Sequence, residues 1–187
     1  VLRLWGITTG MPYTYLIDES AYYVPQAVRM FDGGLDPGWF VNPPAFTYML
    51  HALFAVFSAG GRGMGEQFLR NPEPVWLLAR SMSALLGVAA VGCIYVAGVK
   101  FFGRLAGLVA AAILAVAFLP VFYGHFALND SPLLFPLCLS LAGVGEVLRN
   151  GSKRGYALAA VGFGLAAATK YSAGMVGAAV LLAVIAR

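Results

Sequence analysis

The sequence predicts an all-α integral membrane protein: a polytopic helical bundle with a first external loop carrying interfacial helices. Three observations predict it. Residues of the set AVILMFWYC make up 60% of the 187, with 23 glycines besides, where soluble chains reach roughly 45–50% apolar with glycine included. Charged residues are 11%, less than half of the roughly 25% found in soluble proteins, and the mean hydropathy is +0.81. The apolar residues fall in long runs separated by short charged clusters, with no strand pattern or internal repeat. Lipid is the solvent that fits such a chain, and the same numbers exclude disorder. The net charge of +4 is no nucleic-acid footprint, because the lysines and arginines sit between apolar runs, as in membrane loops. Cys93 and Cys138 lie inside apolar runs and read as small buried hydrophobes.

The elements follow in order. Residues 1–10 are apolar apart from Arg3 and read as the end of a truncated span. Residues 11–74 read as an external loop. Its first part holds Asp18, Glu19, Asp32 and Asp36, half of the eight acids. Asp18 is placed to cap a helix running from Glu19, Pro25 to bend it, and Gly33-Gly34 to end it. Pro43 and Pro44 open a second helix, Ala45 to Gly60. It falls short of the ~20 residues a span needs and has His51 in its middle, so it reads as lying in the interface, with a short span as the alternative. Gly60 to Pro74 is a polar, glycine-rich linker. Residues 75–187 hold membrane spans: Ser81–Val99, Leu105–Phe122, Pro132–Val147 and a last apolar stretch, Gly155–Ala186, interrupted by Lys170 alone. The apolar runs at both ends suggest a piece of a larger protein.

Loop charge orients the bundle. Lys100 and Arg104 form one basic cluster and Arg149, Lys153 and Arg154 another, while the turn between, 124–131, has no lysine or arginine. The positive-inside rule puts the basic clusters in the cytoplasm and Asp130 outside. Lys170 lies about 22 Å beyond Gly155 at 1.5 Å per residue, which brings it to the outer leaflet. With the helix from Ala45 in the interface, Asp18, Glu19, His125, Asp130 and Lys170 converge on one membrane face.

The run Leu16-Ile17-Asp18-Glu19-Ser20-Ala21-Tyr22-Tyr23, with Ala27 and Asn42-Pro43-Pro44, resembles the first external loop of C-type (GT-C) glycosyltransferases. The likeness is to the protein O-mannosyltransferases and the lipid A aminoarabinose transferases. It continues in family order through Ala79-Arg80 with Ser83-Ala84-Leu85, Phe102-Gly103 with Leu108, Asn129-Asp130 with Pro132, and Gly164-Leu165-Ala166 with Thr169-Lys170-Tyr171. The resemblance implies sugar transfer from a polyprenyl-phosphate donor to a protein, lipid or glycan acceptor on the non-cytoplasmic face of a multi-pass protein of the cell membrane. It also implies more spans than this chain holds, so that residues 1–187 would be the N-terminal transmembrane module of a larger glycosyltransferase.

The candidate residues take roles from this chemistry. Asp18 and Glu19 are the catalytic candidates, since inverting transfer needs a base for the acceptor proton; a cap and a dipole partner are the plain alternatives. Asp130, ahead of Pro132, is a second carboxylate or a plain cap. Lys170, an intramembrane charge, is the candidate for holding the donor phosphate, or it snorkels to the interface. Arg80 is a second phosphate candidate or an anchor. Tyr22, among Tyr13, Tyr15, Tyr23 and Trp39, is a sugar contact or part of an aromatic belt, and His125 is an acceptor contact or a solvated loop residue. Glu146 and Arg149 read as a structural pair. Gly162-x-Gly164-x-x-Ala167 imitates a dinucleotide fingerprint but follows no strand, so it reads as helix packing. No cofactor and no zinc spacing is expected; a divalent metal on Asp18 and Asp130 stays open, as in oligosaccharyltransferase-like members. The rival is a transporter or channel subunit, with Asp130, His125 and Lys170 lining a path.

Overall fold

The computed structural model describes residues 2–187; Val1 lies outside the described residues. The chain is 75% helix, with no strand among the described residues. Residues 2–12 form a run of turns, not the end of a helix. Gly6 and Gly10 hold φ values of 77° and 83°, a region glycine enters without the Cβ penalty.

A π-helical turn, Asp18–Tyr23, runs directly into α1 (Val24–Gly33). Asp18 makes no capping bond, because Ile17 ahead of it already has helical angles. Gly34, at φ 85°, ends the helix. Helix α2 (Ala45–Phe57) has 13 residues, about 20 Å of rise. It buries Phe46, Leu50 and Phe54 in one core with Val24 and Ala27 of α1 and with Trp76 and Ala79 farther along the chain. Short α3 (Met64–Arg70) then leads into α4 (Glu73–Phe102).

Helix α4 has 30 residues, about 45 Å. The chain reverses at Gly103, φ 96°, into α5 (Arg104–Val116). The two helices approach closely enough that a Cβ on Gly98 would lie 2.7 Å from the Gly107 Cα. The expected single span Leu105–Phe122 is broken: Ala117 is extended (ψ 132°) and a separate short helix, α6 (Phe118–Tyr123), follows. Pro120 explains the break, since in a continuous helix its ring would meet the Val116 carbonyl. Arg3 then donates to the freed carbonyls of Leu114 (2.8 Å) and Ala115 (3.2 Å).

Helix α7 (Asp130–Asn150) has 21 residues, about 32 Å, enough for a ~30 Å hydrocarbon layer. It packs against α8 (Lys153–Thr169) through small residues. Gly143 faces the Ala159 backbone, Gly162 faces Ser140, and Ser140 Oγ donates to Ala159 O at 3.0 Å. The glycine motif is therefore a packing stripe at Gly162, while Gly164 faces open space. The last apolar stretch is a hairpin. It breaks at Lys170, passes through a 3₁₀ turn (Tyr171–Met175) and returns as α9 (Val176–Ile185). Gly177 meets the Phe163 ring and Arg187 comes back to Gly151.

Two helices, α4 and α7, are long and apolar enough to cross a membrane; α2, α5 and the 171–185 segment are apolar but shorter. Leu85, Val88, Ile113 and Leu181 are exposed on these helices, an apolar outer surface that suits lipid. Glu146 does not pair with Arg149. It takes Lys100 of α4 and accepts from Asn150 Nδ2 (2.8 Å) and Ser152 Oγ (3.1 Å), because α7 packs against α4, while Arg149 is left exposed.

The small-residue stripe is directly testable. Gly143→Ala should destabilise the protein by about 1–3 kcal/mol through overpacking, whereas Gly164→Ala should be neutral or stabilising by up to about 1 kcal/mol. Thermal unfolding of the two variants in the same detergent measures the difference.

Candidate active site

Glu19 leads from the first loop into the bundle. Its side chain is 0% exposed and meets Arg80 of α4, 1% exposed. The pair is bidentate: Arg80 Nε donates to Oε1 at 2.7 Å and Nη2 to Oε2 at 2.8 Å. The Ala127 backbone N–H adds a third donor to Oε1 at 2.8 Å. Arg80 Nη1 donates to the carbonyls of Ile7 and Thr9, each at 2.9 Å, and the guanidinium lies 5.2 Å from the Phe126 ring centroid. One buried pair thus ties together the 2–12 turns, the first loop, α4 and the 124–129 turn. Arg80, expected on a donor phosphate, has every guanidinium nitrogen engaged inside the protein. Glu19, expected beside Asp18 as a catalytic carboxylate, has neither exposure nor a free oxygen. The reason is its position in the helical turn: adjacent residues point in different directions, so Asp18 faces solvent while Glu19 faces the core.

The same contact places the loop. Arg80 lies seven residues into α4, about 10 Å from its start, so Asp18 and Glu19 sit at the N-terminal end of α4. The intervening chain, which contains α1, α2 and α3, begins and ends there.

Asp130 and Lys170 meet at that end. Lys170 Nζ donates to Asp130 Oδ1 at 2.6 Å, with side chains 31% and 39% exposed. Asp130 is the first residue of α7 and makes no capping bond. Lys170 is extended between α8 and the 3₁₀ turn. Asn129, buried beside Asp130, steadies the break by donating to Thr169 O at 3.2 Å. Lys170 is therefore neither unpaired nor snorkelling alone. A cleft of about 210 Å³ opens beside the pair, with Asp130 among Leu119, Pro120, Tyr123 and Leu133.

Asp18 carries no hydrogen bond or ion pair among the described residues. Tyr23 lies within the field of both Asp18 and Asp130. Burial holds the Tyr23 phenol well above its usual range, the Asn42 amide donating to its oxygen at 3.2 Å pulls the other way, and the charges of Asp18 and Asp130 add to the rise. The phenol stays neutral at any working pH. Tyr22 stacks on Trp39, centroids 4.4 Å apart, and so forms one side of a paired aromatic surface rather than a lone belt residue. His125 is half-buried: its Nε2 lies 3.0 Å from Leu2 O and 2.9 Å from Trp5 O, two acceptors, so Nε2 bears the proton and ties the N-terminal turns to the 124–129 turn. It also lines a cleft with Trp5, Thr9 and Phe122. Among the described residues no group of three His, Cys, Asp or Glu is gathered for a metal; Asp18 and Asp130 keep exposed oxygens at this end, as does Glu73 at the start of α4.

The sequence reading missed Arg3. A lone charge in an otherwise apolar segment was its only signal, and its carbonyl partners lie more than a hundred residues away. It also missed Asn42 as the partner of Tyr23.

Removing either member of the buried pair should be costly. Glu19→Gln or Arg80→Met should each destabilise by about 3–5 kcal/mol by leaving an uncompensated buried group, and Glu19→Leu with Arg80→Met should recover much of that loss. Thermal unfolding of the full-length protein decides it: single variants as stable as the parent would mean that the pair is no clamp.

The family model described as dolichyl-phosphate-mannose-protein mannosyltransferase matches residues 41–187. No curated protein and no solved structure matches the chain. The matched region contains Arg80, His125, Asp130 and Lys170, and begins after Asp18 and Glu19. Most of the chain, including both long apolar helices, thus carries the family pattern, and the chain belongs to the dolichyl-phosphate-mannose-protein mannosyltransferase family.

Proposed function

We propose that this chain is the N-terminal membrane module of a glycosyltransferase that moves a sugar from a polyprenyl-phosphate donor to an acceptor hydroxyl on the non-cytoplasmic face of the cell membrane. The observation that carries the reading is the pairing of an unengaged acid with a held cation at one end of the bundle. Asp18 is exposed and free of partners there, while Lys170 is held by Asp130, in a chain of this family.

The chemistry assigned to these groups is an inverting displacement. The Asp18 carboxylate takes the proton of the acceptor hydroxyl. The acceptor oxygen forms a bond to the anomeric carbon as the bond from that carbon to the phosphate oxygen breaks, and the electron pair leaves with the polyprenyl phosphate. A phosphate is already a competent leaving group, so a second acid is not required. Lys170 holds the phosphate as a point charge, and Asp130 aims the ammonium. Glu19 and Arg80 position the loop that carries Asp18. The Tyr22–Trp39 pair offers an apolar face to a sugar ring. Protein, lipid and glycan acceptors all present the required hydroxyl. A transport path through Asp130, His125 and Lys170 suits the geometry less well, since the first and third neutralise each other and His125 bonds to backbone.

Asp18→Asn keeps the shape of the side chain but removes the base. The transfer rate of the full-length enzyme at saturating donor should fall about 10²–10⁴-fold, with donor KM little changed. Retention of more than about a third of the parent rate would remove Asp18 as base. Lys170→Ala should instead raise donor KM.

The orientation has its own test. Cysteines placed at positions 18 and 62 should react with an impermeant thiol reagent in sealed right-side-out membranes, and one at 153 only after permeabilisation. Labelling at 18 only after permeabilisation would overturn it.

A further inference from the structure

The two ends of the bundle carry very different charge. Lys100, Arg104, Arg149, Lys153, Arg154 and Arg187 gather where α4 and α7 end and where α5 and α8 begin, with Glu146 the one acid among them. The remaining six lysines and arginines are outnumbered by seven acids elsewhere in the chain. A cleft of about 460 Å³ opens at the basic end, lined by Val99, Lys100, Phe101, Gly103, Leu148 and Arg149.

The cleft is built for a group with a charged head and an apolar body. Its walls alternate cations with Val99, Phe101 and Leu148, and it sits where two apolar helices of membrane-crossing length end. Lys100 is fixed in place: Glu146 holds its ammonium, and Asn150 and Ser152 hold Glu146. Arg149 is exposed and has no acceptor among the described residues. A guanidinium offers a planar fork that fits a phosphate bidentately. The neighbouring Arg104, Lys153 and Arg154 keep the local potential positive even after Glu146 is counted. Basic pockets between membrane helices on the cytoplasmic side suit anionic lipid head groups.

We propose that this cleft binds the phosphate head group of an anionic glycerophospholipid of the adjoining leaflet, with Arg149 as its main ligand and Lys100 as the second. The site lies at the opposite end of α7 from Asp130. The proposal rests on α4 and α7 being membrane-embedded and not on the transfer chemistry, so its success or failure is read without any activity assay.

The test uses the full-length protein in phosphatidylcholine vesicles containing trace spin-labelled phosphatidylglycerol or spin-labelled phosphatidylcholine. The parent should immobilise phosphatidylglycerol preferentially. Arg149→Gln should reduce that preference about tenfold or more, the loss of a direct charge-assisted hydrogen-bond contact, while Lys153→Gln, outside the cleft, should cost no more than the roughly fivefold effect of one surface cation. Equal losses in the two variants would reduce the effect to diffuse surface charge and overturn the site. No preference in the parent would overturn it too. Inorganic phosphate, compared with chloride at matched ionic strength, separates the sources: if it displaces the labelled lipid, the cleft is a site for free phosphate and not for lipid. Arg149 is exposed, so the variant should fold; an Arg149→Lys variant should lose part of the preference, because an ammonium lacks the planar fork.

Discussion

The buried pair of Glu19 and Arg80 is the contact on which the rest of the structure depends. A carboxylate and a guanidinium with almost no exposure are unfavourable unless both are fully bonded. Here Glu19 takes two guanidinium nitrogens and a backbone N–H, and Arg80 takes two backbone carbonyls as well. Those partners come from four separate stretches of chain. The desolvation cost is met only when all four are in place, so the pair specifies one arrangement of the first loop on α4. Asp18 inherits its position from this constraint: anchoring the neighbouring residue inward turns it to solvent.

Cationic side chains do similar work at other interruptions of helix. Arg3 takes the carbonyls that α5 leaves free where Pro120 forces a break. Lys170 occupies the break between α8 and the returning hairpin and pairs with the first residue of α7. Irregular backbone is tolerable at membrane depth only where its polar groups are met by protein or water, and these contacts meet them. The break at Lys170 thereby delivers a charge to the same end of the bundle as Asp18.

The contacts of α7 with α8 and of α4 with α5 use small residues rather than charge. Gly143, Gly162 and Ser140 let α7 and α8 approach to backbone contact, and Gly98 with Gly107 does the same for α4 and α5. Between apolar helices in lipid, close van der Waals packing replaces the hydrophobic effect as the source of association. Charged side chains thus gather toward the two ends, one carrying Asp18, Asp130 and Lys170 and the other the basic cleft, with Arg3 beside Gly87 of α4 as the exception.

The sequence by itself determined the all-helical class, the two long apolar helices α4 and α7, the charge contrast between the ends and the family, because composition, run length and ordered short motifs are properties of the chain read locally. It also marked Asp18, Asp130 and Lys170 as residues out of place in an apolar chain. Only the tertiary structure decided what those charges meet. Glu19 and Asp18 are neighbours with identical local signals, yet one is buried against Arg80 and the other is exposed, a difference set by helical phase and by a partner 61 residues away. Glu146 likewise takes Lys100, 46 residues away, rather than Arg149 on its own helix. The break at Ala117 was written locally in Pro120, but its tolerance depends on Arg3 arriving from the far end of the chain. Pairing across such distances depends on how helices pack, and the pattern along one strand of sequence does not encode it in a form that can be read without the fold.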